Sequence, residues 1–269
     1  AGIPQAHTER SGGNGKSLPA PWAHASNDGS GSAESDMSTD VILAIDTATP
    51  QGGVALWQAD RLLVQALLSA PREHSKRLFG EIENALTATK LDRSQLSAVA
   101  VTIGPGSFTG LRIGLSAAKG ICRALQIPLV AVSTLEAMAA RLPWATRPVC
   151  CVLDARRGEV YAGVYDTSEG TPRCIEAPHP TSMSDLLVRW SDRDVLFTGD
   201  GVNLLNAEEQ HAVLQIAPAH LRAPDAGALA WLGMARFRAG DIEDIAEVEP
   251  KYLRIPTFVT AAEQASHAG

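Results

Sequence analysis

The sequence lacks the residue spacings that most often mark a metal centre or a hydrolytic site. None of its seven histidines lies four residues from another, so no helix would present two imidazoles to one metal ion. No Gly-x-Ser-x-Gly segment occurs, which argues against the exposed serine nucleophile of the α/β-hydrolases. The sequence therefore predicts no metal centre.

Cysteine is scarce, and the long apolar runs of membrane proteins are absent. The four cysteines include no Cys-x-x-Cys pair, and the adjacent Cys150 and Cys151 would point to opposite faces of a strand, so neither a disulfide framework nor a zinc knuckle is indicated. No window reaches the roughly 18 uninterrupted apolar residues of a membrane helix. No basic region followed by an apolar one opens the chain, as it would in a secretory signal. We expect a cytoplasmic protein with reduced thiols.

Positive charge is also in short supply. The chain has 23 Lys and Arg residues against 30 Asp and Glu, for a net charge of −7. Bulk electrostatic attraction to a phosphate backbone needs clustered Lys and Arg. If the protein serves RNA, we expect another subunit to make most of the contact.

Composition and periodicity divide the chain into four parts. Residues 1–36 contain 15 Gly, Ser or Pro residues and no apolar periodicity, which predicts a disordered extension, a tag or a misassigned start. Residues 37–146 form a first subdomain, residues 147–255 a smaller second one, and residues 256–269 a loose tail.

The first subdomain alternates strands and helices in a defined order. Strands are predicted at 41–46, 54–57, 62–68, 98–103 and 128–132, and helices at 75–89, 111–125 and from about 134. Ser133 and Glu136 have the spacing of a capping box for the third helix. The order β-β-β-α-β-α-β-α is one half of the actin/hexokinase/Hsp70 (ASKHA) fold, an α/β architecture with a five-stranded mixed sheet.

The second subdomain has fewer regular segments. Strands at 149–154 and 159–165 are joined by a hairpin turn at Arg156-Arg157-Gly158, and a further strand, 195–198, ends in Gly199-Asp200-Gly201. Asp225 is predicted to cap a helix at 226–239. A degenerate repeat of the first half is an open interpretation.

A glycine-rich loop, Gly104–Gly110, joins the fourth strand to the second helix. Such a loop exposes backbone N–H groups at a helix N-terminus, where an anion could bind. The alternative is that the glycines allow close packing and Pro105 stiffens the turn. The spacing does not match the dinucleotide-binding fingerprint.

Asp46-Thr47 and His74 are further candidates with two interpretations each. Asp46 ends the first strand, where ATPases of this fold hold a magnesium-linked Asp, but it could equally cap a turn. A weak nucleotide site would use Asp46, Thr47, Gly104 and Gly106, yet no Walker lysine is present, so no cofactor is predicted. His74 could cap the first helix or meet a partner.

The two helices 75–90 and 111–125 combine small and apolar residues. They could associate with an equivalent pair in another chain, or they could cover the sheet. The candidate partner-contacting residues, chosen by helix position, are Leu78, Ile82, Leu86, Leu115 and Lys119.

Six stretches of the sequence, spread over residues 41–254, resemble the TsaB (YeaZ) family. They are Ile45–Thr49, Pro71–Ser75, Gly104–Gly114, Val132–Leu135, Asp154–Tyr161 and Pro250–Arg254. The family-motif residues are His74, Gly104, Pro105, Gly106, Ser107, Phe108, Thr109, Gly110 and Arg112.

The resemblance implies a non-catalytic subunit of the complex that threonylcarbamoylates the adenosine 3′ to the anticodon in tRNAs reading ANN codons. Its partners would be the catalytic paralogue TsaD, bound through the two helices, and the ATPase TsaE, with tRNA reached indirectly. A homodimer through the same surface is an alternative state. The metal-binding histidine pair of TsaD has no counterpart in the segment 133–138, so no catalytic residue is expected. The rival functions are a nucleotide-binding ATPase or kinase and a stand-alone glycoprotease-type metallopeptidase.

Overall fold

The structure, a computed structural model, describes residues 39–68, 74–190, 194–206 and 215–254, excluding the side chains of 74–76. The predicted extension at 1–36 and the predicted tail at 256–269 lie outside these residues. None of the helices in the described ranges is long and apolar enough to cross a membrane.

Five strands form the first sheet, in the spatial order β3-β2-β1-β4-β5. Their bounds are β1 Val41–Asp46, β2 Gly52–Gln58, β3 Arg61–Leu68, β4 Ala98–Thr102 and β5 Leu129–Val132. Strand β2 is antiparallel to both β1 and β3, whereas β4 and β5 are parallel to β1. The helices are α1 His74–Thr89, α2 Phe108–Leu125 and α3 Thr134–Ala139. The predicted element order and the mixed five-stranded sheet are confirmed.

A second sheet repeats the topology of the first. Its order is β10-β9-β6-β7-β8, with β6 antiparallel to β7, β7 antiparallel to β8, and β9 and β10 parallel to β6. The strands are β6 Val149–Arg156, β7 Glu159–Asp166, β8 Arg173–Ser182, β9 Leu196–Thr198 and β10 Gln215–Ile216. Helix α4, Met183–Trp190, follows β8. Because both sheets have the same strand order, the chain has the ASKHA fold. Its second half is therefore a repeat of the first, an interpretation that the sequence alone left open.

The hairpin turn predicted between β6 and β7 is present. Arg156, Arg157 and Gly158 have φ angles of 66°, 58° and 80°. Consecutive left-handed residues match the right-handed twist of the two strands that they connect. The turn is therefore tight, and its two arginines stand exposed at the tip.

Helices from different parts of the chain pack on both faces of the first sheet. Helices α1 and α2 cover one face, where Leu43, Ile45 and Val101 lie in the same apolar cluster as Leu78 and Leu115. The other face is covered by α5, Ala226–Arg238, whose cluster includes Ile42, Ala44 and Ala100 of the sheet. Gly233 of α5 allows this approach, since a Cβ there would lie 2.5 Å from the Cβ of Ala100.

The placement of α5 corrects the predicted extent of the second subdomain. The predicted range 147–255 includes residues 226–254, but α5 packs on all five strands of the first sheet, and the N–H groups of Glu243 and Lys251 donate to the carbonyls of Leu129 and Ile103. Local periodicity predicted the helix and its Asp225 cap, which accepts from the N–H of Ala228. It could not predict which sheet the helix covers. The boundary between residues 146 and 147 stays a prediction.

Two details of the helix starts differ from expectation. Helix α2 begins at Phe108, inside the predicted loop, because the Ser107 hydroxyl accepts from the Gly110 N–H and caps the first turn. Ser133 makes no side-chain capping bond at α3. Its predicted capping partner, Glu136, instead accepts two 2.7 Å bonds from Arg236 of α5. A long-range ion pair therefore takes the place of a local capping box.

Candidate functional site

The glycine-rich loop and the start of α2 press against the turn that follows β1. A Cβ on Gly106 would lie 2.4 Å from the carbonyl oxygen of Ala48, and one on Gly110 would lie 2.0 Å from that of Thr47. A Cβ on Gly114 would lie 2.3 Å from Thr47 Oγ1. Three glycines at four-residue spacing therefore form the surface on which residues 47 and 48 rest.

Hydrogen bonds fix this contact. The Ser107 N–H donates to the Ala48 carbonyl at 2.7 Å, and Thr47 Oγ1 donates to the Gly110 carbonyl at 2.7 Å. Of the two interpretations of the loop, close packing thus accounts for Gly106 and Gly110 without a ligand. Anion binding by the loop stays a prediction.

The same loop is covered by the chain's last described segment. Gly104, at φ +124°, could not carry a side chain, because a Cβ would lie 2.6 Å from the Lys251 carbonyl oxygen. The Lys251 N–H donates to the Ile103 carbonyl at 2.7 Å. The stretch Pro250–Arg254 therefore lies directly against the stretch Gly104–Gly114.

An aromatic and cationic cluster forms where these stretches meet. The Arg112 guanidinium lies 3.8 Å from the centroid of the Phe108 ring, and its Nε donates to Tyr252 Oη at 2.9 Å. The two rings are 4.9 Å apart. Sequence reasoning missed Tyr252 as a site residue, because about 140 residues of chain separate it from Arg112. The only signal was that both positions fall in motif stretches of one family.

Asp46 lies in a closed environment at the end of β1. It is 1% exposed, and its Oδ1 accepts from the Ala48 N–H at 3.0 Å and from Thr102 Oγ1 at 2.8 Å. Its Oδ2 has no hydrogen-bond partner among the described residues. Burial raises the pKa of Asp46 to about 6, against the lowering effect of its two hydrogen bonds. The bond from the Ala48 N–H is that of a turn-capping residue, and the bond from Thr102 ties Asp46 to β4.

This raised pKa predicts a specific pH dependence of stability. The folded state binds a proton that the unfolded state releases between about pH 4 and pH 6, so the contribution of Asp46 to stability falls as pH rises through that window. We expect the unfolding free energy of Asp46→Asn, relative to wild type, to rise by about 2–3 kcal/mol from pH 4 to pH 7. Urea unfolding at both pH values measures it.

A second carboxyl serves as the control for this experiment. Hydrogen bonds from Ser168 and Arg173 lower the pKa of Asp166 to about 2, so its titration window ends below pH 4. Asp166→Asn should therefore show no such rise between pH 4 and pH 7. If Asp46→Asn and wild type vary with pH in parallel, the Asp46 carboxyl ionises normally and the pKa shift is refuted.

The second sheet also has a glycine-containing turn, comparable to the glycine-rich loop of the first sheet. Gly199, at φ +117°, leaves no room for a Cβ, which would lie 1.8 Å from the Val152 carbonyl oxygen. Asp200 accepts from the Asp154 N–H at 2.9 Å, and burial raises its pKa. Within the described residues, no group of three or more His, Cys, Asp or Glu side chains lies close enough together to hold a metal ion.

The predicted partner-contacting residues do not lie on the surface. Leu78, Ile82, Leu86 and Leu115 are each at most 4% exposed and belong to the core between the two helices and the sheet. The structure thus corrects their assignment as interface side chains. The apolar stripe that singled them out packs on the protein's own sheet. Lys119 is half-buried at the edge of a groove.

The outward side of α1 and α2 carries a different set of residues. We define the outer helix face as Phe79, Gly80, Glu83, Ser116 and Gly120, all of which are exposed. Phe79 is 55% exposed, and nothing lies within 4 Å of a Cβ built on Gly80 or Gly120. His74 is the first residue of α1, and its side chain is outside the described residues.

Comparisons with known proteins agree with these motifs. The family model of TsaD, tRNA N6-adenosine threonylcarbamoyltransferase, matches residues 68–262. The tRNA threonylcarbamoyladenosine biosynthesis protein TsaB of Bacillus subtilis is 32% identical over 219 residues, which are 80% of this chain and 94% of that protein. TsaB of Escherichia coli is 42% identical over 131 residues, 48% of this chain and 56% of that protein.

A solved structure extends the likeness to three dimensions. YeaZ from Pseudomonas aeruginosa superposes with a TM-score of 0.71 at 29% identity, over 80% of this chain and all of that one. The matched region of the family model takes in β4 and β5 of the first sheet, the second sheet and the segment that covers the glycine loop. The chain belongs to the TsaB (YeaZ) family, within the wider threonylcarbamoyltransferase family.

Proposed function

We propose that this protein is a non-catalytic subunit of the machinery that makes threonylcarbamoyladenosine in tRNA. The observation that carries the proposal is the 32% identity to a protein named for this biosynthesis, along 80% of the chain. A cytoplasmic location fits this role.

The scaffold role is supported by what occupies the helix after β5. The resemblance places the metal-binding histidine pair of the catalytic paralogue in this region, where the chain reads Ser133-Thr134-Leu135-Glu136-Ala137-Met138. Thr134, Leu135 and Met138 are fully buried in the structure. The burial of these side chains therefore supports a packing role for this segment, and not ligand binding.

The outer helix face is the surface we propose for the catalytic paralogue. It offers one exposed aromatic ring, Phe79, and two glycines, and small residues let a partner helix approach closely. A TsaE-like ATPase would join the resulting pair, and a second copy of this chain could occupy the same face when the paralogue is absent.

Changing Phe79 tests this surface. We expect Phe79→Asp to reduce co-purification with a TsaD-like paralogue by roughly tenfold or more, because a large aromatic anchor is lost and a carboxylate must be desolvated on binding. The variant should keep the wild-type circular dichroism spectrum, since this ring is exposed. The matched control is Val188→Asp on α4, whose side chain is 76% exposed. Equal retention of both variants by the paralogue would rule out the outer helix face.

Complementation tests the function itself. In cells depleted of their own TsaB, expression of this chain should restore the modified nucleoside, as measured by mass spectrometry of digested tRNA. Restoration without any TsaD-like protein in the cell would contradict the non-catalytic role. Failure to restore the nucleoside by a folded chain that binds the paralogue would contradict the function.

The rival nucleotide-binding function is less well supported by the geometry. A metal-linked carboxylate must reach solvent or ligand, but Asp46 and Thr47 are each 1% exposed and already hydrogen-bonded. Gly104 and Gly106 are occupied by contacts to Lys251 and Ala48. A nucleotide would have to displace these contacts, so we favour the scaffold.

A further inference from the structure

Contacts between distant segments of this acidic chain link several of its cations. The β6–β7 hairpin carries Arg156 and Arg157 at its tip, and Glu159 in the same hairpin pairs with Arg254. Two residues before Arg254, Tyr252 accepts a hydrogen bond from Arg112. These contacts connect the second sheet, the segment 250–254 and helix α2. We define the basic strip by its cations, which are Arg112, Lys119, Arg156, Arg157, Lys251 and Arg254.

Most of these cations are not neutralised within the chain. Elsewhere in the described ranges, arginines such as Arg93, Arg173 and Arg189 are paired with carboxylates. On the basic strip only Arg254 is paired, whereas the other five have no carboxylate at ion-pair distance among the described residues. Their charges are therefore available to an external anion.

Acidic residues border the strip without balancing it. Glu249 lines the same groove as Arg112 and Lys119, a cavity of about 270 Å³, and Asp154 and Glu159 lie in the hairpin. With Asp200, which accepts from the Asp154 N–H, four carboxylates thus stand against six cations on a protein whose overall charge is −7. The net charge of the basic strip is therefore positive, whereas the net charge of the whole protein is negative.

The strip also carries aromatic rings. Tyr252 is 37% exposed, and its ring packs at a tilt beside the Phe108 ring. The Arg112 guanidinium lies over the Phe108 ring. Only one of the five N–H donors of Arg112 is used by Tyr252, which leaves others for a phosphate. Cations that track a phosphate backbone, together with a ring on which an unpaired base can stack, are the usual components of an RNA-binding surface.

We propose that the basic strip binds RNA directly, with its arginines and lysines on phosphates and an unpaired base on Tyr252. The identification of this RNA as tRNA rests on the proposed function, but the charge and the rings do not. The chain thereby adds a contact of its own to the tRNA that the complex modifies.

Binding of a fluorescent tRNA transcript to the purified full chain, followed by anisotropy at low salt, tests the proposal. The variant Arg156→Glu with Arg157→Glu is expected to raise the Kd by roughly tenfold or more, and to reduce the slope of log K against log salt by about 2. The control is Arg61→Glu with Arg123→Glu, which makes the same charge change at exposed arginines outside the strip. Equal losses in both variants, or no loss in either, overturn the proposal.

A second pair of variants tests the stacking ring. Tyr252→Phe should bind tRNA within about twofold of wild type, whereas Tyr252→Ala should bind at least about fivefold more weakly. Poly-glutamate of matched charge should compete poorly with the transcript. If it competes equally well, the strip reads charge alone, as it would for an acidic protein, and the RNA assignment is overturned.

The result of the tRNA-binding test can be distinguished from the result of the complementation test of the proposed function. A chain that restores the modified nucleoside in cells, but whose strip variant binds tRNA like wild type, refutes the strip and leaves the function standing. A chain that binds tRNA through the strip but fails to complement refutes the function and leaves the strip standing.

Discussion

Leu78→Asp is expected to unfold the protein, whereas Phe79→Asp, one position along the same helix, is expected to leave it folded. Leu78 is fully buried between α1 and the first sheet, and Phe79 is 55% exposed. Removing a buried leucine side chain costs about 2–5 kcal/mol, and a carboxylate in its place must also be desolvated or protonated. The sum is comparable to the whole stability of a domain, about 5–15 kcal/mol.

The two variants separate folding from binding. Far-UV circular dichroism and the soluble yield should show loss of structure for Leu78→Asp, and adding Ile82→Asp should deepen it. For Phe79→Asp, only binding to the paralogue should change. A folded Leu78→Asp protein that no longer binds the paralogue would mean that Leu78 faces the partner, as helix position alone suggested, and that the packing of α1 described above is wrong.

This pair of residues also shows what helical periodicity can and cannot predict. The spacing of Leu78, Ile82 and Leu86 correctly places them on one stripe of one helix. Periodicity does not state whether the stripe meets the protein's own sheet or another chain. In a helix that covers a sheet, the apolar stripe is used internally, so a partner must contact the more polar opposite side.

The fold was predictable where the local sequence is enough to identify a helix or a strand. Strands β1 and β4 are continuous apolar runs because both faces of the sheet are covered, and short turns separate β1, β2 and β3. Strand β8 was missed, since it is an edge strand whose residues are all exposed or half-buried and include Pro178 and Pro180. Without β8, the second sheet could not be predicted as a repeat of the first.

The candidate site was less predictable, because it is assembled from distant segments. The glycine loop was visible as a motif, but its contacts with residues 47–48 and 250–252 depend on the parallel pairing of β1 with β4 and on the return of the chain after α5. No local spacing encodes either. The stretches that resemble one family were the single clue that Gly104–Gly114 and Pro250–Arg254 belong together.

Gly110→Ala is expected to lower the unfolding free energy by about 2–4 kcal/mol, although alanine is the better helix former. The new Cβ would lie 2.0 Å from the Thr47 carbonyl oxygen, so α2 and the turn after β1 must move apart. That movement also breaks the bond from Thr47 Oγ1 to the Gly110 carbonyl, which contributes about 1 kcal/mol. Urea unfolding monitored by circular dichroism measures the loss.

Gly120→Ala in the same helix is the matched control. Nothing lies within 4 Å of a Cβ built at Gly120, so only the helix propensity changes, and the variant should be more stable than wild type by about 0.5–1 kcal/mol. The two substitutions are chemically identical and are expected to have opposite signs. If both stabilise the protein, the glycines of the loop are not there for close packing, and ligand binding by the loop becomes the better account of Gly104–Gly110.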